Sequence, residues 1–136
     1  MVKKLDIRLI NYINLFNSIT GVTAKDCFFE DEKLVFLVKE GDMGKALGKA
    51  GIKVKKLKNM IKKEIKVIEY SEDIVKFVRN LIYPNEVQKI YKEDSIVFIE
   101  EPNNVIKGRI YGRDRKNLYY INEILKKYFS LELKIK

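Results

Sequence analysis

The residues best suited to chemistry in this chain are Gly48-Lys49-Ala50-Gly51, followed at once by Ile52 and Lys53. Two glycines three positions apart let a backbone turn sharply and let another chain approach it closely. A helix that starts directly after such a turn leaves its first N–H groups unpaired, and an anion suits that position. Eight lysines lie between Lys45 and Lys63, and Glu64 is the first acid to follow them. A one-sided patch of this kind is the electrostatic footprint for a polyanion. Lysines spread over a solvated helix face are the competing interpretation, but their coupling to a glycine turn favours phosphate contact. The spacing fits neither common nucleotide loop. A Walker loop needs Gly-Lys-Ser/Thr after four spacer residues, and a dinucleotide loop needs Gly-x-Gly-x-x-Gly after a strand; Gly44, Gly48 and Gly51 satisfy neither. Nucleotide hydrolysis is therefore not expected.

Absent residue types narrow the chemistry further. The chain has no histidine and a single cysteine, Cys27. An intramolecular disulfide, a His or multi-Cys metal site, and Ser-His or Cys-His nucleophile pairs are all excluded. Only carboxylates, Lys, Tyr or Arg are left for catalysis, and the acids occur singly or in turns such as Glu30-Asp31-Glu32 and Glu93-Asp94, where they keep a turn solvated. No active site emerges, so the protein is expected not to be an enzyme and to need no cofactor or metal. Cys27, in Asp26-Cys27-Phe28-Phe29, reads as a small buried strand residue.

The elements that must position the glycine turn occur twice. At an offset of 64 positions Gly108 and Gly112 fall on Gly44 and Gly48, Arg109 and Arg113 on Lys45 and Lys49, and the apolar set Leu118, Ile121, Leu125 on Val54, Leu57, Ile61. Upstream of each turn lies a buried strand, Lys33 to Lys39 and Ser95 to Glu100, paired across a polar turn with a shorter strand, Thr23 to Phe29 and Glu86 to Tyr91. Downstream, Ile65 to Glu69 and Leu131 to Ile135 complete each unit. A helix precedes each hairpin. The first is marked by Leu5, Leu9, Tyr12, Ile13, Phe16 and Ile19; the second by Ile74, Val75, Val78, Leu81 and Ile82, with Ser71 as its N-cap and Tyr83-Pro84 as its stop.

The fold class is thus α+β, in two units, residues 1–70 and 71–136. Each is of about 65 to 70 residues, a size at which a lone core is marginal, so the units are expected to pack on each other. The 136 residues are 46% hydrophobic, with 28 Lys and Arg against 19 Asp and Glu for a net charge of +9, compatible with a folded core. The longest apolar run, Leu34 to Val38, is too short to span a membrane, and the N-terminus has no apolar signal core. A soluble, monomeric, cytoplasmic protein is expected.

The Gly-x-x-Gly turn between helices, preceded by a Val/Ile/Phe-rich strand, resembles the KH domain, a module that clamps about four nucleotides of single-stranded RNA or DNA along that loop. With a helix and hairpin before the loop and the last strand after it, the order resembles type II: a three-stranded sheet packed against helices. Two such units in tandem resemble the archaeal transcription termination/antitermination factors of the NusA family. The resemblance implies that Gly48, Lys49, Ala50 and Gly51 lie against the RNA backbone and that Ile52 opens the groove-lining helix; Lys45, Lys53 and Lys56 of the cationic patch are further phosphate candidates. In the second unit it implies the same for Gly112, Arg113, Asp114 and Arg115, with Arg109 and Lys116 as flanking cations. There the sequence departs from the pattern: Arg115 replaces the final glycine, and Asp114 brings a negative charge. Gly112 to Lys116 still carries +2, and arginine can bond a phosphate bidentately, so altered but retained binding is expected. Tyr111, Tyr119 and Tyr120 flank this loop and could stack on bases, although aromatics at helical spacing are more often core. Lys39 is a weaker phosphate candidate.

The expected function is therefore single-stranded RNA binding in transcription termination or antitermination, with RNA polymerase or other transcription factors as further partners. Ribosome assembly, and a protein-interaction role on a KH scaffold, are the alternatives.

Overall fold

A computed structural model describes residues 7–136. The chain divides into two compact units at Tyr70/Ser71, and each repeats one element order. In the first unit this is α1 (Ile7–Thr20), β1 (Asp26–Glu30), β2 (Lys33–Val38), α2 (Met43–Leu47), α3 (Ile52–Ile61) and β3 (Ile65–Glu69); in the second, α4 (Ile74–Ile82), β4 (Lys89–Glu93), β5 (Ile96–Glu100), α5 (Asn104–Tyr111), α6 (Lys116–Phe129) and β6 (Glu132–Ile135). Each unit has a three-stranded sheet with strands in sequence order, the first pair antiparallel and the second parallel. The parallel pairing forces a crossover. In the first unit α2 and α3 span it, and in the second α5 and α6, so the glycine turn sits inside the crossover.

The helical spacing read from the sequence is the spacing that is buried. In the first unit Phe16, Cys27, Leu34, Phe36, Val38, Ala46, Leu57 and Val67 form the core, with Phe16 and Phe36 stacked at 4.3 Å between ring centroids. Leu9, Tyr12 and Ile13 pack against it; Leu5 lies outside the described residues. In the second unit Phe77, Val78, Leu81, Ile90, Val97, Ile99, Ile110, Ile121, Leu125 and Leu133 are buried. Strand β2 is buried at every position from Leu34 to Val38, matching its unbroken apolar run.

Most strand ends differ from the sequence expectation by one or two residues, and three larger differences have a local hydrogen-bonding reason. Strand β1 begins at Asp26 rather than Thr23: the Thr20 hydroxyl accepts from Val22 N–H, and Asn17 Oδ1 accepts from Ala24 N–H at 2.9 Å, which ties residues 22–24 to α1. Strand β4 begins at Lys89 rather than Glu86, because Gln88 N–H donates to the buried carboxylate of Glu101 at 3.0 Å. The N-cap of α4 is Asp73, not Ser71. Asp73 Oδ1 accepts from Val75 and Lys76 N–H, while Ser71 Oγ accepts from Asp73 N–H one step earlier. No helix among the described residues is long and apolar enough to cross a membrane.

Candidate functional site

The two glycine turns share one backbone conformation. Gly48 lies at φ 74°, ψ 176° and Gly112 at φ 72°, ψ 174°; Ala50 at φ 55°, ψ 26° and Asp114 at φ 54°, ψ 27°. The final positions, Gly51 at φ 71°, ψ 19° and Arg115 at φ 59°, ψ 24°, are both left-handed. Hydrogen bonding is duplicated as well. Gly48 N–H donates to Gly44 O and Gly112 N–H to Gly108 O, both at 3.0 Å, while Gly51 and Arg115 N–H donate to Gly48 and Gly112 O, both at 3.1 Å.

This geometry explains where the second loop departs from the first. The conformation at Gly48 and Gly112 is essentially restricted to glycine, and a Cβ there would come within 2.8 Å of Lys53 Cγ and 2.4 Å of Asn117 Cγ respectively. At Gly51 nothing lies within 4 Å of such a Cβ, and the left-handed region admits an L-residue at about 1–2 kcal/mol. Arginine can occupy the last position but not the first. Asp114 also suits its place, since Asp enters the left-handed region more readily than most residues.

Behind each loop, the residue five positions after the first glycine acts as a clamp. Lys53 Nζ donates to Lys45 O at 3.0 Å, closing the end of α2, and to Thr20 O at 2.9 Å, closing the end of α1. Asn117, only 4% exposed, directs its Nδ2 to the corresponding carbonyl, Arg109 O, at 3.5 Å. Lys53 is thus bound to protein backbone and acts as a positioning residue. Asn117 is the position behind the loops that sequence reasoning missed; its signal was a polar side chain in an apolar register, visible only through its alignment with Lys53.

The other candidates surround the loops. Lys45, Lys49, Ala50, Lys55 and Lys56 are exposed, as are Arg109, Arg113, Asp114, Arg115 and Lys116. Ile52 is 63% exposed at the start of α3, a large apolar side chain in water beside the first loop. Farther along, Lys58 pairs with Glu64 at 2.8 Å, which removes it from the loop's charge. Lys39 is exposed at the end of β2. In the second unit the Arg115 guanidinium lies 4.8 Å over the Tyr111 ring. Asn103 caps α5 by accepting from Val105 and Ile106 N–H, and the Glu101 carboxylate accepts from Asn103 N–H at 2.9 Å, so the route into the second loop is held at its base.

Each site is a cationic rim around a glycine turn, open to solvent and backed by an apolar helix face. It is equipped to hold an extended anionic chain. A family profile described as KH domain matches residues 11–101. The "Probable transcription termination protein NusA" of Methanocaldococcus jannaschii is 35% identical over 123 residues, 88% of this chain and 67% of that protein. Its counterpart in Methanococcus vannielii is 40% identical over 119 residues, 85% of this chain and 68% of that protein. The crystal structure of APE1850 matches with a TM-score of 0.65 and 32% sequence identity over 97% of this chain and all of that one. The chain resembles archaeal NusA proteins along most of its length, and with its glycine turns and a matched span of more than half the chain, it belongs to the KH domain family.

Proposed function

We propose that the chain is a pair of type II KH domains, residues 1–70 and 71–136, that binds single-stranded RNA along both glycine loops and acts in transcription termination or antitermination. The observation that carries this proposal is the shared loop conformation: the second unit holds its Asp- and Arg-bearing loop in the left-handed geometry of the first, at a cost in backbone strain. Lys45, Lys49 and Lys56 neutralise phosphates in the first unit, and Arg109, Arg113, Arg115 and Lys116 do so in the second. The glycines Gly48 and Gly112 admit the strand to the backbone, and Ile52 supplies an apolar edge for bases. The NusA names of the relatives support the transcriptional role, with RNA polymerase or another transcription factor as the further partner.

Equilibrium binding of a labelled single-stranded RNA at several salt concentrations tests this. Lys49→Asp/Ala50→Asp reverses the charge of the first loop without straining it, because Asp tolerates the conformation of Ala50. It is expected to weaken binding at least tenfold and to flatten the salt dependence, since each lost phosphate contact lowers the slope by about 0.7 on a single strand. Arg113→Asp/Arg115→Asp is expected to weaken binding several-fold. Failure of the wild type to bind at low salt, or indifference to both double variants, overturns the proposal.

A further inference from the structure

The two units present different chemistry one helical turn beyond their loops. At equivalent positions the first unit carries Ile52, Lys55 and Lys56, and the second carries Lys116, Tyr119 and Tyr120. The exchange puts cation where there was apolar surface, and aromatic rings where there were cations. Tyr119 is 58% exposed, while Tyr120 is half-buried and meets it edge-on at 5.5 Å between centroids. Tyr120 thus holds the neighbouring ring at a fixed angle and leaves much of its surface in water.

Direction matters here. Helical side chains lean toward the helix N-terminus, so Tyr119, near the start of α6, leans toward the loop. Tyr119 stands three residues after Lys116, on the same face of α6. The surroundings are cationic: Arg113, Arg115 and Lys116 are all exposed. An exposed, braced aromatic ring beside a phosphate-binding turn has the composition of a base-stacking platform.

We propose that Tyr119 stacks on a base of the RNA strand held by the second loop, so that the second unit grips its nucleotides by phosphate contact and base stacking, whereas the first unit, with lysine at the equivalent position, relies on phosphates and the apolar edge of Ile52. The proposal rests on the RNA-binding reading given above. It makes Tyr119 a determinant of whether a base is present, which charge alone cannot sense.

The chain contains no tryptophan, so Tyr119→Trp introduces a unique fluorophore at the proposed contact. Two probes are used with the full chain: a random-sequence single-stranded RNA pool and an abasic ribose-phosphate oligomer of equal length. Tyr119→Leu is expected to weaken binding to the RNA pool by about tenfold, within the range for one stacked base, with an unchanged salt slope and no change on the abasic oligomer. Tyr119→Trp is expected to retain affinity, with fluorescence quenched by the RNA pool and not by the abasic oligomer. Wild-type affinity of Tyr119→Leu for the RNA pool, or an equal loss on both probes, overturns the stacking role. If charge reversal at Lys49 or Arg113 still weakens binding, the RNA-binding reading survives that result. A wild type that binds neither probe overturns both.

Discussion

Glycine is required at one end of each loop and optional at the other, for reasons found at single atoms. Gly48→Ala and Gly112→Ala combine a glycine-only backbone region with a Cβ driven against Lys53 or Asn117. Each is expected to cost about 2–3 kcal/mol in urea denaturation, Gly112→Ala the more, because its Cβ would come within 2.4 Å of buried Asn117 against 2.8 Å of Lys53. Gly51→Ala meets no neighbour and is expected to cost about 1 kcal/mol. Arg115→Gly relieves a strain of similar size but gives up the contact with Tyr111, worth about 0.5–1 kcal/mol. Stability is therefore expected to stay level while RNA affinity falls. A large stability gain in Arg115→Gly would mean that the guanidinium contributes nothing on the Tyr111 ring.

At the scale of elements, helix starts are secured unequally. Asp73 accepts from two backbone N–H groups at the start of α4, and Asn103 does the same at the start of α5. Asp42 stands at the start of α2 with helical backbone angles and no side-chain cap bond. Asp73→Ala is expected to lower stability by about 1 kcal/mol, a typical N-cap loss, and Asp42→Ala by much less. The difference in urea midpoint between the two variants measures it, and equal losses would show that Asp73 acts through charge near the helix end rather than through its two hydrogen bonds. Caps of this kind were only partly legible in the sequence. Ser71 was the cap expected for α4, but Asp73, two residues nearer the first free N–H groups, took the position, and Ser71 Oγ accepts from Asp73 N–H instead.

For the molecule as a whole, buried charge sets the pH behaviour. Glu30 of β1 and Lys66 of β3 form an ion pair at 2.8 Å, with their side chains 19% and 11% exposed. Burial lowers the Lys66 pKa below its ordinary value, and the Glu30 carboxylate offsets part of that. The sign follows from proton counting. Between the folded pKa and the ordinary value of 10.5 the unfolded chain holds more protons at this site, so this group adds stability as pH rises through that interval and carries its full penalty below it. Glu30→Gln is expected to cost about 2–3 kcal/mol at pH 7, slightly less than a fully buried pair, and part of that loss should be recovered near pH 10. The double variant Glu30→Leu/Lys66→Met is expected to be close to wild type, as apolar replacements of buried pairs often are. Urea denaturation at the two pH values checks both, and a pH-independent loss in Glu30→Gln would remove Lys66 as its cause.

Periodicity and spacing determined the element order, the buried helix faces and the place of both glycine turns, because these depend on contacts within a few residues and on where apolar side chains recur. The exclusion of histidine, intramolecular disulfide and Cys-His chemistry was a matter of composition alone. Tertiary structure decided what individual polar side chains do. Lys53 looked like one more phosphate ligand, yet a carbonyl 33 positions earlier in the chain lies within reach of its amine. Asn117, which no local motif marks out, is buried beneath the second loop. Tyr119 and Tyr120 were interchangeable as letters and differ in exposure because only one faces the packed side of α6. In each case the deciding neighbour came from packing or from a distant part of the chain, and a local pattern carries no information about which side chain will meet it.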